Sequence, residues 1–408
     1  MGNNDIPINI SDLFEQVGSG PSVSFSEMVE QKKLELGITD FQMSKILGIP
    51  KNTFYRMTKR ISEGDVESLD YFSIIKISQL FNLDVQDLTK TYVGSLNSEH
   101  IGQIEDARKA NYILRTFDVK GLKDLNFISS TTDFQHIENR IKSFFHLDSI
   151  FDYSHEVGRV LFSKLHNSND KMRELWVRSA FFQFEKIENT NEFNREVLLS
   201  LVKNIRPYTR YEEKGFLTVI RALFGVGITV IVQPSPPKAK VRGGTFVVNG
   251  RPCIAITDYN NNYATLWFAL MHELFHVLND LDQLKVLKYA LTEDGAADLF
   301  LLQEEDADWF AREMLFPREF MNYIKHLINS PTSVAKYAEE KRVHPAIIYS
   351  FFCYEANKEM GKNLYGLYQQ YFGKTDTALR SLKTNPFGKE SIFEEISLIK
   401  KRLTVETN

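Results

Sequence analysis

The sequence predicts a mainly helical α+β protein of two or three domains. Its 408 residues are too many for one domain of roughly 150 residues. Apolar positions recur at helical spacing over most of the length. β-Branched runs separated by turn residues are confined to one stretch, from Gly227 to Ile256. A hydrophobic fraction of 43% with 25% charged residues is that of a folded chain and excludes extensive disorder. The formal charge of -4 excludes a wholly polybasic protein, so any contact with nucleic acid must come from a local patch. Two cysteines, Cys253 and Cys353, cannot build a disulfide framework or a cysteine-rich metal site, which fits a reducing cytoplasm. A transition metal would therefore be held by histidine and carboxylate. No apolar run approaches the ~20 residues that span a bilayer, so no membrane association is expected.

Taken in order, Ser24 caps a helix with Phe25, Met28, Val29 and Leu36 on one side, and Gly37 stops it. Short helices follow over 39–47, 52–59, 69–80 and 83–88. The first two have the layout of a helix-turn-helix. Met43, Ile46 and Leu47 face inward, Ser44 allows close approach, Gly48 makes the turn, and Phe54 and Met57 anchor the second helix. Lys51, Arg56, Lys59 and Arg60 can neutralise phosphates while Lys51, Asn52 and Tyr55 reach base edges, and no acid stands between positions 51 and 60. This makes 24–92 a DNA-binding domain. Helical periodicity continues without a catalytic constellation through 93–205, expected as a connector and scaffold.

The composition shifts at Gly227. Ile228 to Val232 reads as a strand, and Thr245 to Val248 with Cys253 to Ile256 reads as a hairpin about Asn249-Gly250. Gly243-Gly244-Thr245 is expected to offer a strand edge to an extended peptide. Helices resume from Ala264, in a domain spanning 206–372. Ser333 to Phe352 reads as a helical cap on that domain. The tail, 373–408, is polar with one further helix near 390–401.

The sharpest signal is His272-Glu273-Leu274-Phe275-His276. Residues four apart share a helix face, so both imidazoles can bind one ion, and Glu273 beside them can act as general base. A catalytic zinc takes a third protein ligand. Glu304 is assigned that role, in a helix whose small Ala307 and Ala311 permit close packing. Asp308, one turn on, is placed to orient His272 through its other ring nitrogen. His344 and Tyr349 are weak candidates for stabilising an oxyanion.

Residues 24–88 resemble the Cro/repressor-like (XRE) helix-turn-helix family, with Asp40 where that family often has Gln. Residues 214–352 resemble the ImmA/IrrE metallopeptidases, in particular HigA-like chains that carry such a helix-turn-helix. The second resemblance rests on Gly227 to Ile231, Val241 to Thr245, Trp267 to His276 and Glu304 to Pro317. Phe275 stands where Gly is usual, and Ser350-Phe351-Phe352-Cys353 where related chains often read Gly-Arg-Leu-Gln. The resemblance implies a gluzincin-like fold, a Zn²⁺ ion on His272, His276 and Glu304, and cleavage of a repressor or antitoxin-like protein. Expected partners are duplex DNA, that protein substrate and a second copy of the chain as a homodimer. Two function classes meet the pattern: a DNA-targeted zinc endopeptidase, and a repressor or antitoxin whose peptidase fold senses metal or a partner without proteolysis.

Overall fold

The computed structural model describes residues 25–52, 71–94, 98–154, 168–237, 241–258, 261–287, 289–293, 304–388 and 392–404. They form a mainly helical structure with one small sheet, and none of the described helices is long and apolar enough to cross a membrane. The chain divides into two compact units, 1–111 and 112–408.

In the first unit, α1 (Phe25–Leu36) and α2 (Asp40–Leu47) are followed by α3 (Tyr71–Phe81) and α4 (Val85–Gly94), and the boundary between the units falls within α5 (Ser98–Thr116). Thr39 closes a capping box with Gln42 at the start of α2, satisfying two amide groups that the first turn leaves bare. Gly48 ends it in the left-handed conformation, with φ 65°, and Lys76 of α3 donates to the carbonyl of Leu47 at 2.8 Å. Val29, Met43, Leu47, Ile74, Ile77, Phe81 and Leu88 form the core of this unit. Ile46 and Leu36, expected inside, are 59% and 50% exposed. Ile46 lies off the arc of Met43, Ser44 and Leu47 by helical phase, whereas Leu36 keeps the phase of Val29 and is exposed as the last residue of α1.

The second unit has one continuous core that runs from Ile113 to Leu403. The sequence divides this stretch into connector, catalytic domain and tail, whereas the packing joins all three. Within 112–205, α6 (Phe134–Phe145) and α7 (Ser168–Ile187) carry much of the core. Arg140 of α6 donates to the carbonyl of Phe387, and the rings of Phe144 and Phe387 stack at 6.2 Å. Three fully buried polar side chains lace α7 to the sheet. Gln183 donates to Gln233 at 2.7 Å, Gln233 donates to the Trp176 carbonyl at 3.0 Å, and Ser179 lies beside both. Buried amides tolerate this only because they find partners.

After α8 (Gly215–Gly225) comes the sheet, built of β1 (Thr229–Val232), β2 (Val241–Val248), β3 (Arg251–Ile256) and β4 (Tyr289–Glu293) in the order β1-β3-β2-β4. Asn249 and Gly250, with φ 50° and 77°, make the expected tight hairpin turn between β2 and β3. β2 is bonded on both sides, antiparallel to β3 and to β4. The expectation that Gly243 to Thr245 offers a free edge is thereby corrected, because β4 occupies it. β4 itself was not foreseen, since Tyr-Ala-Leu-Thr-Glu has neither alternation nor flanking turn pairs to mark it.

Helices α9 (Tyr263–Asn279), α10 (Glu304–Leu315), α11 (Pro331–Glu340), α12 (Pro345–Met360) and α13 (Phe393–Thr404) complete the described unit together with shorter turns. The two-residue period of β2 decides what each face touches. Phe246 points to α7, against Trp176, Phe181 and Phe184, while Thr245 points to α9. The sheet thus lies between α7 and α9. Helix α12 packs on α9, the place expected for the cap. Ile396, Ile399 and Leu403 of α13 enter the same core.

Candidate metal centre

Helix α9 is buried on every side from Leu266 to Leu278 except at Phe268, as expected of a helix that is apolar nearly all round. Asn262 caps it by accepting from the amides of Ala264 and Thr265. In this apolar setting His272, Glu273 and His276 are at most 1% exposed. Burying ionisable groups is costly unless each finds a partner, and the surroundings supply one for each.

The two imidazoles face each other, with their Nε2 atoms 3.1 Å apart. Glu304, at the first turn of α10, reaches both: Oε2 lies 3.2 Å from His272 Nε2 and Oε1 lies 3.4 Å from His276 Nε2. Ala307 and Ala311, both fully buried, let α10 approach α9 closely. Phe275, in place of the glycine usual in the resembling family, packs its ring against Phe310 of α10 at 5.5 Å. The ligand atoms of His272, His276 and Glu304 all lie within 4.8 Å of one another, an arrangement that could hold a metal ion.

The other ring nitrogens are fixed from outside. Nδ1 of His272 is 2.9 Å from Asp308 Oδ1, and Nδ1 of His276 is 2.7 Å from Asp280 Oδ2. A carboxylate accepting from Nδ1-H leaves Nε2 as the ligating atom of each ring. Asp280 was missed in the sequence, although it stands four residues after His276 and so on the same helix face.

Glu273 is gripped from the sheet. Its Oε2 accepts from Thr245 Oγ1 at 2.7 Å, and the same hydroxyl lies 3.2 Å from the Glu273 carbonyl. Gly243 makes this approach feasible, because a Cβ there would stand 2.8 Å from Glu273 Oε1. The Gly243 and Thr245 positions share one face of β2, so the strand's alternation sets both against the same carboxylate.

The charge balance favours a cation. Burial alone would pull the pKa of His272 down, but hydrogen bonds to Asp308 and Glu304, with the charges of Glu273 and Glu304, push it up to about 10. Burial likewise opposes protonation of His276, and Asp280, Glu304 and Glu273 outweigh it, raising the value to about 9. Burial pushes Glu304 up, yet the two imidazoles bring it down to about 2. The carboxylates around the histidines thus favour positive charge at this position, which a divalent ion would supply.

Other expected residues lie elsewhere. His344 caps α12 through Nδ1 and pairs with Glu212 at 2.8 Å through Nε2. Tyr349 is buried, its ring stacked on Tyr371 at 4.3 Å. Neither side chain is among the ligand atoms that converge at the metal centre. In the first unit, Lys51 and Asn52 are exposed at the start of a helical segment directly after Gly48-Ile49-Pro50. Tyr55, Arg56, Lys59 and Arg60 lie outside the described residues, as do the anchors Phe54 and Met57. Asp40 forms an ion pair with Lys33, which gives the acid at this position a partner within the unit.

The chain matches no protein-family model, no curated protein and no solved structure in the comparisons made.

Proposed function

We propose that the protein is a zinc-dependent endopeptidase that binds duplex DNA through its first unit and cleaves a regulatory protein, of repressor or antitoxin type, in the cytoplasm. The observation that carries this reading is the convergence of His272, His276 and Glu304 beside a buried Glu273. Three protein ligands from two histidines and one glutamate, with a position left for water, are the donor set of catalytic rather than structural zinc. When bound, the ion supplies Lewis acidity, lowering the pKa of a water towards about 7 and polarising the scissile carbonyl.

The chain's own residues supply the rest. Asp308 and Asp280 hold the imidazole rings in the tautomer that presents Nε2. Thr245 holds the Glu273 carboxylate, so its orientation is set before substrate arrives. Glu273 accepts a proton from the attacking water and returns it to the leaving amine. The apolar wall of α9 keeps bulk water away from these transfers.

For the first unit, the helix-turn-helix layout of α2, Gly48 and the segment starting at Lys51 supports a role in reading DNA. Cleavage of a regulator by a DNA-bound protease would tie transcription to the peptidase. Glu273→Gln tests the enzymatic half. It should keep the metal, because Glu273 is not a ligand, and lower peptide hydrolysis by at least about 10²-fold, the lower range for loss of general-base catalysis. Undiminished derepression of a regulated promoter would favour the metal- or partner-sensing alternative, whereas undiminished hydrolysis would remove Glu273 as the general base.

A further inference from the structure

A cavity of about 850 Å³ opens beside the metal centre and shares none of its ligands. Its volume is within the range of about 300–1,000 Å³ typical of sites that enclose a ligand. Each element of the metal centre contributes to the wall, displaced by a short step from the site. Phe268 is one turn before His272 on α9, with the two rings 6.1 Å apart. Arg312 is one turn after Asp308 on α10. Arg242 directly precedes Gly243, the residue that touches Glu273. Helix α12 closes the far side with Phe351 and Tyr354, and Lys374 stands at the rim.

The chemistry of this wall is one-sided. Among the described residues that line it there are three cations, Arg242, Arg312 and Lys374, and no carboxylate. Arg312 makes cation–π contacts, its guanidinium 4.8 Å from the Tyr354 ring and 5.6 Å from that of Phe351. It is also ion-paired with Glu355, which lies in a separate groove on the other side of α10. That pair fixes the guanidinium at low entropic cost. An aromatic-lined cleft whose described wall carries cations and no carboxylate attracts negative charge and repels positive charge.

We infer that this cavity is a specificity subsite for an acidic side chain, Asp or Glu, flanking the scissile bond of the peptide substrate. The assignment rests on the endopeptidase reading of the adjoining centre and adds to it the class of sequence cut. Neither the H-E-x-x-H run nor the third ligand carries that information. It comes from α10 and β2 each extending one step beyond the metal centre into the same cavity.

The test is retention of peptides by the zinc-loaded full chain bearing Glu273→Gln, so that cleavage does not interfere. The probes are three hexapeptide libraries randomised except at one central position, fixed as Glu, Gln or Lys. The Glu library should be retained about tenfold more strongly than the Gln library and the Lys library least, the scale expected of a partly desolvated charge pair. The preference should shrink at high salt. Joint replacement R242Q and K374Q should remove most of it while zinc content and retention of the Gln library stay unchanged. If that double variant loses zinc, Lys374→Gln alone is read, since Lys374 is exposed. Equal retention of Glu and Gln libraries, or a preference that neither salt nor substitution reduces, overturns the subsite. An acidic preference without cleavage of any library by the unsubstituted chain keeps the subsite as an anion-binding site and removes the peptidase reading. Cleavage without acidic preference does the reverse.

Discussion

Two histidines one helical turn apart are held in opposite ways at their two nitrogens, and that asymmetry carries the chemistry. Asp308 and Asp280 take the Nδ1 sides, and Glu304 faces both Nε2 atoms. Removing either outer carboxylate leaves the ligand set intact and loosens ring orientation. Asp308→Asn and Asp280→Asn should each weaken zinc binding by about 10–100-fold, the cost typical of losing such an outer partner, in a competition titration against a chromophoric chelator. The same residues set a pH dependence. In the metal-free chain the folded-state values of His272 and His276, about 10 and about 9, lie above the ordinary 6.5. Their contribution to stability is therefore complete below 6.5 and lost as pH rises through 9 to 10. Glu304 lies below its ordinary 4.5, so its contribution is present above 4.5 and lost as pH falls towards 2. An ion bound at the Nε2 atoms would displace any proton held there. Calorimetric titration near pH 7.5 in buffers of different ionisation enthalpy should show about one to two protons released per ion. Binding with no proton release would mean that the imidazoles are neutral beforehand.

At the scale of elements, the site is an intersection of two helices and one strand. α9 supplies His272, Glu273 and His276, α10 supplies Glu304 and Asp308, and β2 supplies the grip of Thr245 made possible by Gly243. Gly243→Ala introduces a Cβ 2.8 Å from Glu273 Oε1 and 3.2 Å from the Ala255 carbonyl. The carboxylate must move while the ligands stay. Hydrolysis should fall by about 10²-fold, as for misplacement of a reacting group by about 1 Å, with zinc content unchanged. Loss of metal from this variant would place Gly243 in a different role. Much of this was legible in the sequence. Short-range spacing announced the histidine pair, Glu273, the second helix with its alanines, and Asp308. What was not legible depends on contacts distant in the chain. Thr245 meets Glu273 across 28 residues, β4 pairs with a strand more than forty positions earlier, and no local pattern encodes either. Asp280 was legible in principle, since it repeats the four-residue step.

Over the whole molecule, the chain separates into a small helical unit and a large one whose core joins segments that composition alone sets apart. The stretch 112–205 contributes no ligand, yet α7 forms the wall behind the sheet that presents Thr245 and Gly243. The Gln183-Gln233-Trp176 contacts and the Phe246 cluster explain how a segment that supplies no ligand still sets the geometry of the site. Amphipathic periodicity revealed these helices but could not say which sheet face they would cover, because packing partners are a property of the folded chain. Whether His272, His276 and Glu304 hold one metal ion is decided by the zinc content, by mass spectrometry, of the full chain after loading and dialysis, beside His276→Ala and Glu304→Gln with circular dichroism to verify folding. The unsubstituted chain should carry one zinc, lost in both variants at unchanged helicity. A chain that retains no zinc, or variants that retain it fully, would contradict this.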